Sequence, residues 1–295
     1  MSDEKVWEKQ ALEHLLLENL KEQRRGRRWR TAVRMMTLLV FVGVAINLFD
    51  IDIAGKSSMG KHTALVDLQG EIAPDTKASA DAINASLQAA FENSESVGVI
   101  LRINSPGGSP VQAGIIHDEM LRLRAKYPQK SLHVVVEEIC ASGGYYVAAA
   151  GEKIYVDKAS LVGSIGVIMN GFGVTGLMEK LGIERRAITA GKNKALLDPF
   201  SKQDPKQKEF VQGMITEVHE QFITVVRAGR GDRLKETPDM FTGLVWNGAK
   251  SVELGLSDSL GSVDVVARDV FKASNIVDYT MKDNLAERVA KRFGA

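Results

Sequence analysis

The chain has 295 residues, of which 44% are hydrophobic and 25% are charged, a composition typical of a folded globular protein. Its formal net charge of +1 gives no general attraction to nucleic acid, so we expect no nucleic-acid partner. The single cysteine, Cys140, excludes an internal disulfide framework and any metal site built from several cysteines.

The basic residues are concentrated near the N-terminus, where seven lysines and arginines lie between positions 21 and 34. An apolar run over 35–49 follows directly. A buried core helix rarely follows so many basic residues, and no small-x-small cleavage site comes after the run, as a signal peptide would require. We therefore predict a single transmembrane anchor over 31–49, with the N-terminus in the cytoplasm and the following residues translocated.

The anchor divides the chain into segments of different expected character. Residues 1–30 form a basic, helix-prone cytoplasmic leader, and the glycine- and serine-containing stretch over 50–62 reads as a linker. A folded domain is predicted over 63–272, followed by a C-terminal tail over 273–295. The anchor itself implies contact with membrane lipid.

From residue 63 onward, apolar strand patterns alternate with helical patterns, which predicts an α/β architecture of β-α-β units. The near-continuous apolar run over 97–103 is typical of a buried parallel strand. No internal repeat is visible, so we expect one copy of the domain. The predicted strands are 64–68, 97–103, 132–136, 154–156 and 183–187, and the predicted helices are 77–92, 111–126, 141–150, 205–228 and 263–271.

The turn Ala141-Ser142-Gly143-Gly144 lies between a predicted buried strand and a predicted helix. Its glycines allow a sharp turn and a close approach by a substrate, and a helix N-terminus offers unpaired N–H groups to a developing negative charge. This arrangement can present Ser142 as a nucleophile. The alternative is that Ser142 only caps the helix, which is a common use of serine.

Three further loops contain residues that a plain α/β core does not require. The pair Gly107-Gly108 follows a buried strand and could direct N–H groups into a cleft as an oxyanion hole, or could form only a tight turn. Ser164 lies between two glycines in a similar loop, and Lys192 and Lys194 lie in a later one. These loops contain no pair of carboxylates, which disfavours glycosidase and aspartic-protease chemistry.

The five histidines lie outside these loops, and nothing local supports a Ser-His-Asp triad. Each histidine is interpreted as structural. Their positions are His14, His62, His117, His133 and His219.

Together the motifs resemble the signal peptide peptidase A family, the family S49 serine peptidases. The similar runs are 102–109, 141–148 and 163–167, with a C-terminal signature over 243–261. The resemblance covers residues 63–272 and includes the N-terminal anchor of short, single-domain members. It implies a crotonase/ClpP-like α/β fold for the folded domain.

The resemblance also implies a Ser/Lys dyad, in which Ser142 is the nucleophile and Lys194 the general base, with Lys192 as the nearby rival. Ser164 falls on the family's serine that holds the lysine amine. A lysine accepts a proton only in its neutral form, which burial favours. Such a dyad requires no histidine, cofactor or metal.

The oxyanion donors implied by the resemblance fall on the Gly107-Gly108 pair, with the Gly108 N–H favoured, and on the Gly143 N–H. Single-domain members of the family assemble into rings in which the serine and the lysine of one site come from neighbouring protomers. A homo-oligomeric ring is therefore expected for this chain.

The implied function is a serine endopeptidase of the bacterial inner membrane, with its catalytic domain on the extracytoplasmic side. Its expected substrates are remnant signal peptides or other membrane-associated peptides. Three alternatives remain open at this point. They are a protease of the same family that cleaves a specific membrane protein, such as a stomatin-like one, a crotonase-type acyl-thioester enzyme, and a catalytically silent scaffold.

Overall fold

A computed structural model describes residues 25–42 and 60–281 of the chain. Residues 25–42 are helical and belong to one compact unit, and Met59–Lys282 forms the other. Among the described residues, no helix is both long enough and apolar enough to cross a bilayer. Residues 43–49 of the predicted anchor lie outside the described residues, as do 1–24 of the leader, 50–59 of the linker and 282–295 of the tail.

Strands and helices alternate along most of the larger unit. The strands are β1 His62–Gln69, β2 Ser96–Ser105, β3 Leu132–Ala141, β4 Lys153–Val156, β5 Leu161–Gly163, β6 Val245–Asn247, β7 Ser259–Leu260 and β8 Ile276–Asp278. The helices are α1 Ala80–Glu92, α2 Pro110–Lys126, α3 Gly143–Ala148, α4 Thr175–Leu181, α5 Pro205–Arg230, α6 Gly248–Glu253 and α7 Val263–Val265, which continues as a π-helical turn over Val266–Val270.

The strands form one sheet in the order β6-β5-β3-β2-β1-β8, and β4 pairs with both β3 and β7. Every pair is parallel except β5 with β6. Parallel neighbours need crossover connections, which α1 and α2 provide between β1, β2 and β3. The predicted α/β class is therefore confirmed, and a central sheet of this kind fits the expected ClpP-like fold. The carboxyl ends of β2, β3 and β5 meet at one edge, where ligands bind in open α/β sheets.

The main core lies between the sheet and the helices α1 and α2. Helix α1 begins at the N-cap Ser79, whose Oγ accepts a hydrogen bond from the N–H of Ala82 at 3.4 Å. Ile83, Leu87 and Ala90 recur at helical spacing on its inner face and are fully buried. Burial of an isoleucine or leucine side chain stabilises the fold by about 1.5–3 kcal/mol. A second, smaller cluster consists of Leu65, Ile100, Val135, Tyr155, Val266 and Ala267.

The predicted strand over 183–187 is wrong, because the structure forms no strand there. Ile183 is exposed and has no neighbouring strand, and an apolar pattern makes a strand only where a partner supplies the ladder hydrogen bonds. The strand that extends the sheet beyond β3 is β5, which lies earlier in the chain, at Leu161–Gly163. Its three residues are too few for a sequence pattern to reveal it.

A buried ion pair joins the end of α5 to the sheet. The Arg230 side chain is fully buried, and its Nη1 donates to Asp258 Oδ2 at 2.9 Å, while the N–H of Ile154 donates to the same oxygen at 2.7 Å. Burial by itself raises the pKa of Asp258, but the hydrogen bond and charge of Arg230 outweigh it and hold that pKa below its ordinary value. The carboxylate therefore stays ionised and neutralises the buried guanidinium.

Replacing Asp258 by alanine is expected to lower the free energy of unfolding by about 3–5 kcal/mol, because Arg230 would remain buried without a counter-charge. Urea denaturation followed by circular dichroism measures the loss. Because the folded-state pKa is lowered, the stabilisation is present above the unfolded pKa of about 3.9 and is lost as the pH falls through the folded value. Asp269→Ala, which removes a fully exposed pair with Arg268, is the matched control and should change little. Equal effects of the two variants would contradict the prediction.

Candidate active site

Ser142 occupies a strained turn between β3 and α3. Its φ of 51° and ψ of −124° lie in a region that non-glycine residues rarely adopt and that costs about 1–3 kcal/mol. The N–H of Ser142 donates to the Gly163 carbonyl at 2.9 Å, and its carbonyl accepts from the N–H groups of Tyr145 and Tyr146. Its side chain makes no capping hydrogen bond to the helix. The backbone is thus held by both elements while Oγ is left free for chemistry, which argues against the capping interpretation.

The Gly107-Gly108 loop packs directly against this turn. Both glycines have positive φ, 102° and 146°, and a Cβ on Gly107 would lie 2.7 Å from the Gly143 nitrogen. Ile72 holds the loop from the other side, because its N–H donates to the Gly107 carbonyl and its carbonyl accepts from the N–H of Ser109. Only residues without a side chain allow the two backbones to approach so closely.

The two glycines of this loop differ in the state of their N–H groups. The Gly107 N–H donates to Ser105 Oγ at 3.1 Å, so it is already used. Within residues 60–281, the N–H groups of Gly108 and Gly143 have no acceptor. A Cβ placed on Gly143 would be 3.3 Å from the Gly108 nitrogen, which puts these two donors side by side. The pair can bind an oxygen that carries negative charge.

Replacing Gly108 by alanine is expected to lower kcat for peptide hydrolysis by about 10²–10³-fold, the range for loss of one oxyanion donor. The new Cβ would lie 2.2 Å from the Ile72 carbonyl oxygen, so the loop must move. Steady-state kinetics and a thermal melt separate the catalytic effect from unfolding. The control is Gly114→Ala inside α2, where a Cβ meets nothing within 4 Å and should stabilise the helix by about 1 kcal/mol. Full activity of a folded Gly108→Ala protein would contradict the assignment.

Ser164 lies next to Ser142 in the sheet register. Ala141 pairs with Gly163 at the end of the parallel strands β3 and β5, so the two serines leave the sheet at the same edge. Ser164 also has a positive φ, 52°, and its N–H donates to the Leu244 carbonyl at 2.7 Å. The structure therefore brings together the predicted nucleophile, its neighbouring serine and the predicted oxyanion donors.

Lys192 and Lys194 are not part of this group within one chain. Both are exposed, in a turn-rich segment where the N–H of Lys194 donates to the Gly191 carbonyl. Neither side chain forms a hydrogen bond to Ser142 or Ser164 or lines the cavity beside Ser142. A single chain thus supplies the serine, but it brings neither Lys192 nor Lys194 to the cavity beside it.

Among the described residues, no histidine forms a hydrogen bond to Ser142 Oγ. Nε2 of His219 lies 3.1 Å from the Ile165 carbonyl, and the ring of His117 packs edge-on against Tyr146. Within residues 25–42 and 60–281, no group of three or more His, Cys, Asp or Glu side chains could hold a metal ion.

Helix α5 contributes to the site in a way that the sequence did not indicate. A cavity of about 50 Å³ opens beside Ser142, and Val218 and Phe222 of this helix form part of its wall. His219 of the same helix binds the backbone directly after Ser164. Periodicity predicted that α5 exists, but no local motif marked the turn of this helix that faces Ser142.

Residues 124–276 match a family model described as Peptidase family S49, and this match covers just over half of the chain. The chain belongs to peptidase family S49. The matched range contains Ser142, Ser164 and Lys194, and the Gly107-Gly108 loop precedes it.

The relatives differ widely in how much of their length is similar. The Na⁺/H⁺ antiporter NhaA of Brucella melitensis is 43% identical over 177 residues, which cover 60% of this chain and 24% of that protein. A Synechocystis protein provisionally named as a protease is 31% identical over 209 residues, 70% of this chain and 72% of that protein. An Enterococcus faecium protein provisionally named signal peptide peptidase SppA is 30% identical over 184 residues, 62% of this chain and 53% of that protein. The chain thus spans about a quarter of the Brucella relative.

Proposed function

We propose that the chain is a membrane-anchored serine endopeptidase with Ser142 as its nucleophile. The observation that carries this proposal is the strained turn at Ser142, whose Oγ is free beside two unpaired N–H groups at the carboxyl edge of the sheet. Membership of peptidase family S49 supports it. Family membership also favours a peptidase over a crotonase-type acyl-thioester enzyme.

In the proposed reaction, Ser142 Oγ attacks the carbonyl carbon of the scissile peptide bond and transfers its proton to a neutral Lys194 amine. The N–H groups of Gly108 and Gly143 bind the resulting oxyanion, and the lysine then gives the proton to the leaving amine. Water hydrolyses the acyl-enzyme by the same route in reverse and restores the serine. Ser164 orients the lysine amine without adding a charge.

The base comes from a neighbouring protomer in this proposal. Lys194 is exposed and does not line the cavity beside Ser142 in a single chain, so in this proposal a second copy brings it to the site. The preceding segment presents large apolar side chains to solvent, with Ile168, Phe172 and Ile188 exposed by 78%, 87% and 101%. Such exposure in one protomer is typical of a surface that another protomer covers. A ring of head-to-tail contacts gives every serine a neighbour's lysine.

The proposed substrates are extended peptides at the membrane, including remnant signal peptides or a segment of a specific membrane protein. The basic run and the apolar residues that follow it support an anchor over 31–49 and an extracytoplasmic catalytic domain. An anchor of this kind keeps the site close to peptides that are released within the bilayer.

The nucleophile is tested by labelling the detergent-solubilised full chain with a fluorophosphonate probe and mapping the modified peptide by mass spectrometry. We expect one modified residue, Ser142, and loss of labelling in Ser142→Ala. Ser79→Ala is the control, because it removes a serine hydroxyl at the N-cap of α1, outside the site, and should keep the labelling. A probe attached elsewhere, or not attached at all, would contradict the proposal.

A further inference from the structure

The hydroxyl of Ser105, the last residue of β2, lies directly before the Gly107-Gly108 loop. Ser105 is fully buried, and its Oγ makes two hydrogen bonds to the backbone. Oγ donates to the Gly70 carbonyl at 2.6 Å and accepts from the Gly107 N–H at 3.1 Å. Because the hydroxyl proton is used on a carbonyl, a lone pair of Oγ is left for the N–H. One oxygen atom thus ties the residue that follows β1 to the loop that follows β2.

The peptide unit between Gly107 and Gly108 carries one of the two oxyanion donors. In a trans peptide, the carbonyl of one residue and the N–H of the next point in opposite directions. The Ile72 N–H donates to the Gly107 carbonyl at 2.8 Å, so the Gly108 N–H points away from Ile72. On that side it lies beside the Gly143 nitrogen. The direction of the Gly108 N–H therefore depends on how Gly107 is held, by Ile72 at its carbonyl and by Ser105 at its N–H.

Glycine makes these hydrogen bonds necessary. Gly107 and Gly108 have φ of 102° and 146°, and glycine adopts positive and negative φ with similar ease. Side-chain sterics therefore do not fix the orientation of this peptide unit. Without Ser105 Oγ, the Gly107 N–H would be a buried donor that lacks an acceptor, which is unfavourable. Rotation about the glycine bonds relieves this cost and moves the Gly108 N–H from its position beside Gly143.

Ser105 also packs against the element that carries the second donor. In the sheet it pairs with Cys140, two residues before Ser142. A Cβ on Gly144 would lie 3.1 Å from the Ser105 carbonyl oxygen and 3.4 Å from the Ser105 Cβ. The same residue therefore contacts both the glycine loop and the start of α3.

We propose that Ser105 is a positioning residue for the oxyanion donors, because its hydroxyl holds the Gly107 N–H and thereby directs the Gly108 N–H at the substrate carbonyl oxygen. The inference rests on the proposed peptidase function and adds a residue to it. Ser105 Oγ is engaged with backbone groups and takes no part in the proton transfers. Its loss should weaken binding of the negatively charged tetrahedral intermediate and leave binding of the uncharged peptide as it is.

The first test compares the kinetics of Ser105→Ala and Ser86→Ala in the detergent-solubilised full chain. Ser86 is a matched control, because it is also buried and its Oγ donates to the Ala82 carbonyl at 2.7 Å and accepts from the Met281 N–H at 2.9 Å. We expect Ser105→Ala to lower kcat for peptide hydrolysis at least about tenfold, since a misplaced donor loses part of the roughly 10²–10³-fold effect of a whole oxyanion donor. KM should stay within about twofold. Ser86→Ala should keep both constants, and an unchanged kcat in folded Ser105→Ala overturns the inference.

An equilibrium measurement separates positioning from a general loss of structure. With a peptide aldehyde, Ser142 Oγ bonds to the aldehyde carbon, the C=O double bond becomes a C–O⁻ single bond, and the Oγ proton passes to the Lys194 amine. The corresponding peptide alcohol binds without forming this oxyanion. Ser105→Ala should raise the inhibition constant of the aldehyde at least about tenfold and that of the alcohol less than about twofold. Equal weakening of both inhibitors overturns the inference in favour of a purely structural role.

A second variant covers the case in which Ser105→Ala does not fold. Ser105→Cys fills the position with a sulfur that is only a weak acceptor, and it should weaken the aldehyde more than the alcohol in the same way. The fluorophosphonate probe separates this inference from the proposed function. If the probe does not react with Ser142 in the unmodified chain, the proposed function fails, and this inference fails with it. If the probe reacts and the variants at Ser105 bind the aldehyde normally, only this inference fails.

Discussion

Replacing Ser142 by alanine is expected to lower kcat for peptide hydrolysis by at least about 10⁴-fold, the scale on which loss of a serine nucleophile acts. The free energy of unfolding should change by less than about 0.5 kcal/mol. The free energy of unfolding should change little because Ser142 Oγ makes no capping hydrogen bond to α3. Steady-state kinetics and urea denaturation of the same preparations measure the two effects.

The matched control is Ser79→Ala at the N-cap of α1. Ser79 Oγ accepts a hydrogen bond from the Ala82 N–H, and its loss should cost about 1 kcal/mol of stability with little effect on kcat. The two variants therefore separate a serine used for chemistry from a serine used for structure. Retention of activity in Ser142→Ala would contradict the assignment of Ser142 as nucleophile. Destabilisation equal to that of Ser79→Ala would contradict the statement that the Ser142 side chain has no structural role.

Mixing two inactive variants is expected to restore activity. Ser142→Ala chains keep Lys194, and Lys194→Ala chains keep Ser142, so a site has both groups when its serine comes from a Lys194→Ala chain and its lysine from a Ser142→Ala neighbour. With equal amounts assembled at random, about a quarter of the sites should be complete. Each variant alone should be inactive, because every site then lacks one partner. Co-expression with two different tags, followed by tandem purification and a peptidase assay, measures the recovery.

Two controls test whether the recovered activity requires an intact Ser142 and whether Lys192 can serve as the base. A mixture of Ser142→Ala with the double variant Ser142→Ala/Lys194→Ala contains no intact nucleophile and should stay inactive. Lys192→Ala removes the rival amine two residues away and should retain most activity. Co-purified mixed assemblies without any recovered activity would show that the base does not come from a neighbour.

The sequence by itself was sufficient to predict features that are determined by residues close together along the chain. Alternating apolar patterns predicted the α/β class, because strand and helix periods are local properties. The Ser-Gly-Gly pattern predicted the sharp turn that ends a buried strand, because such a turn requires glycines, while the role of Ser142 as nucleophile stays a prediction. The same reasoning failed for 183–187, where an apolar pattern has no partner strand, and it missed β5, whose three residues carry no pattern.

Only the tertiary structure decided which groups face Ser142. The register between Ala141 and Gly163 places Ser164 beside Ser142, and helix α5 brings Phe222 to the cavity from 80 residues further along the chain. The family resemblance favoured the Gly108 N–H, and the structure supplies a physical reason, because the Gly107 N–H donates to Ser105 Oγ and that of Gly108 does not. Contacts of this kind depend on distances between distant segments, and a local pattern contains no information about those distances.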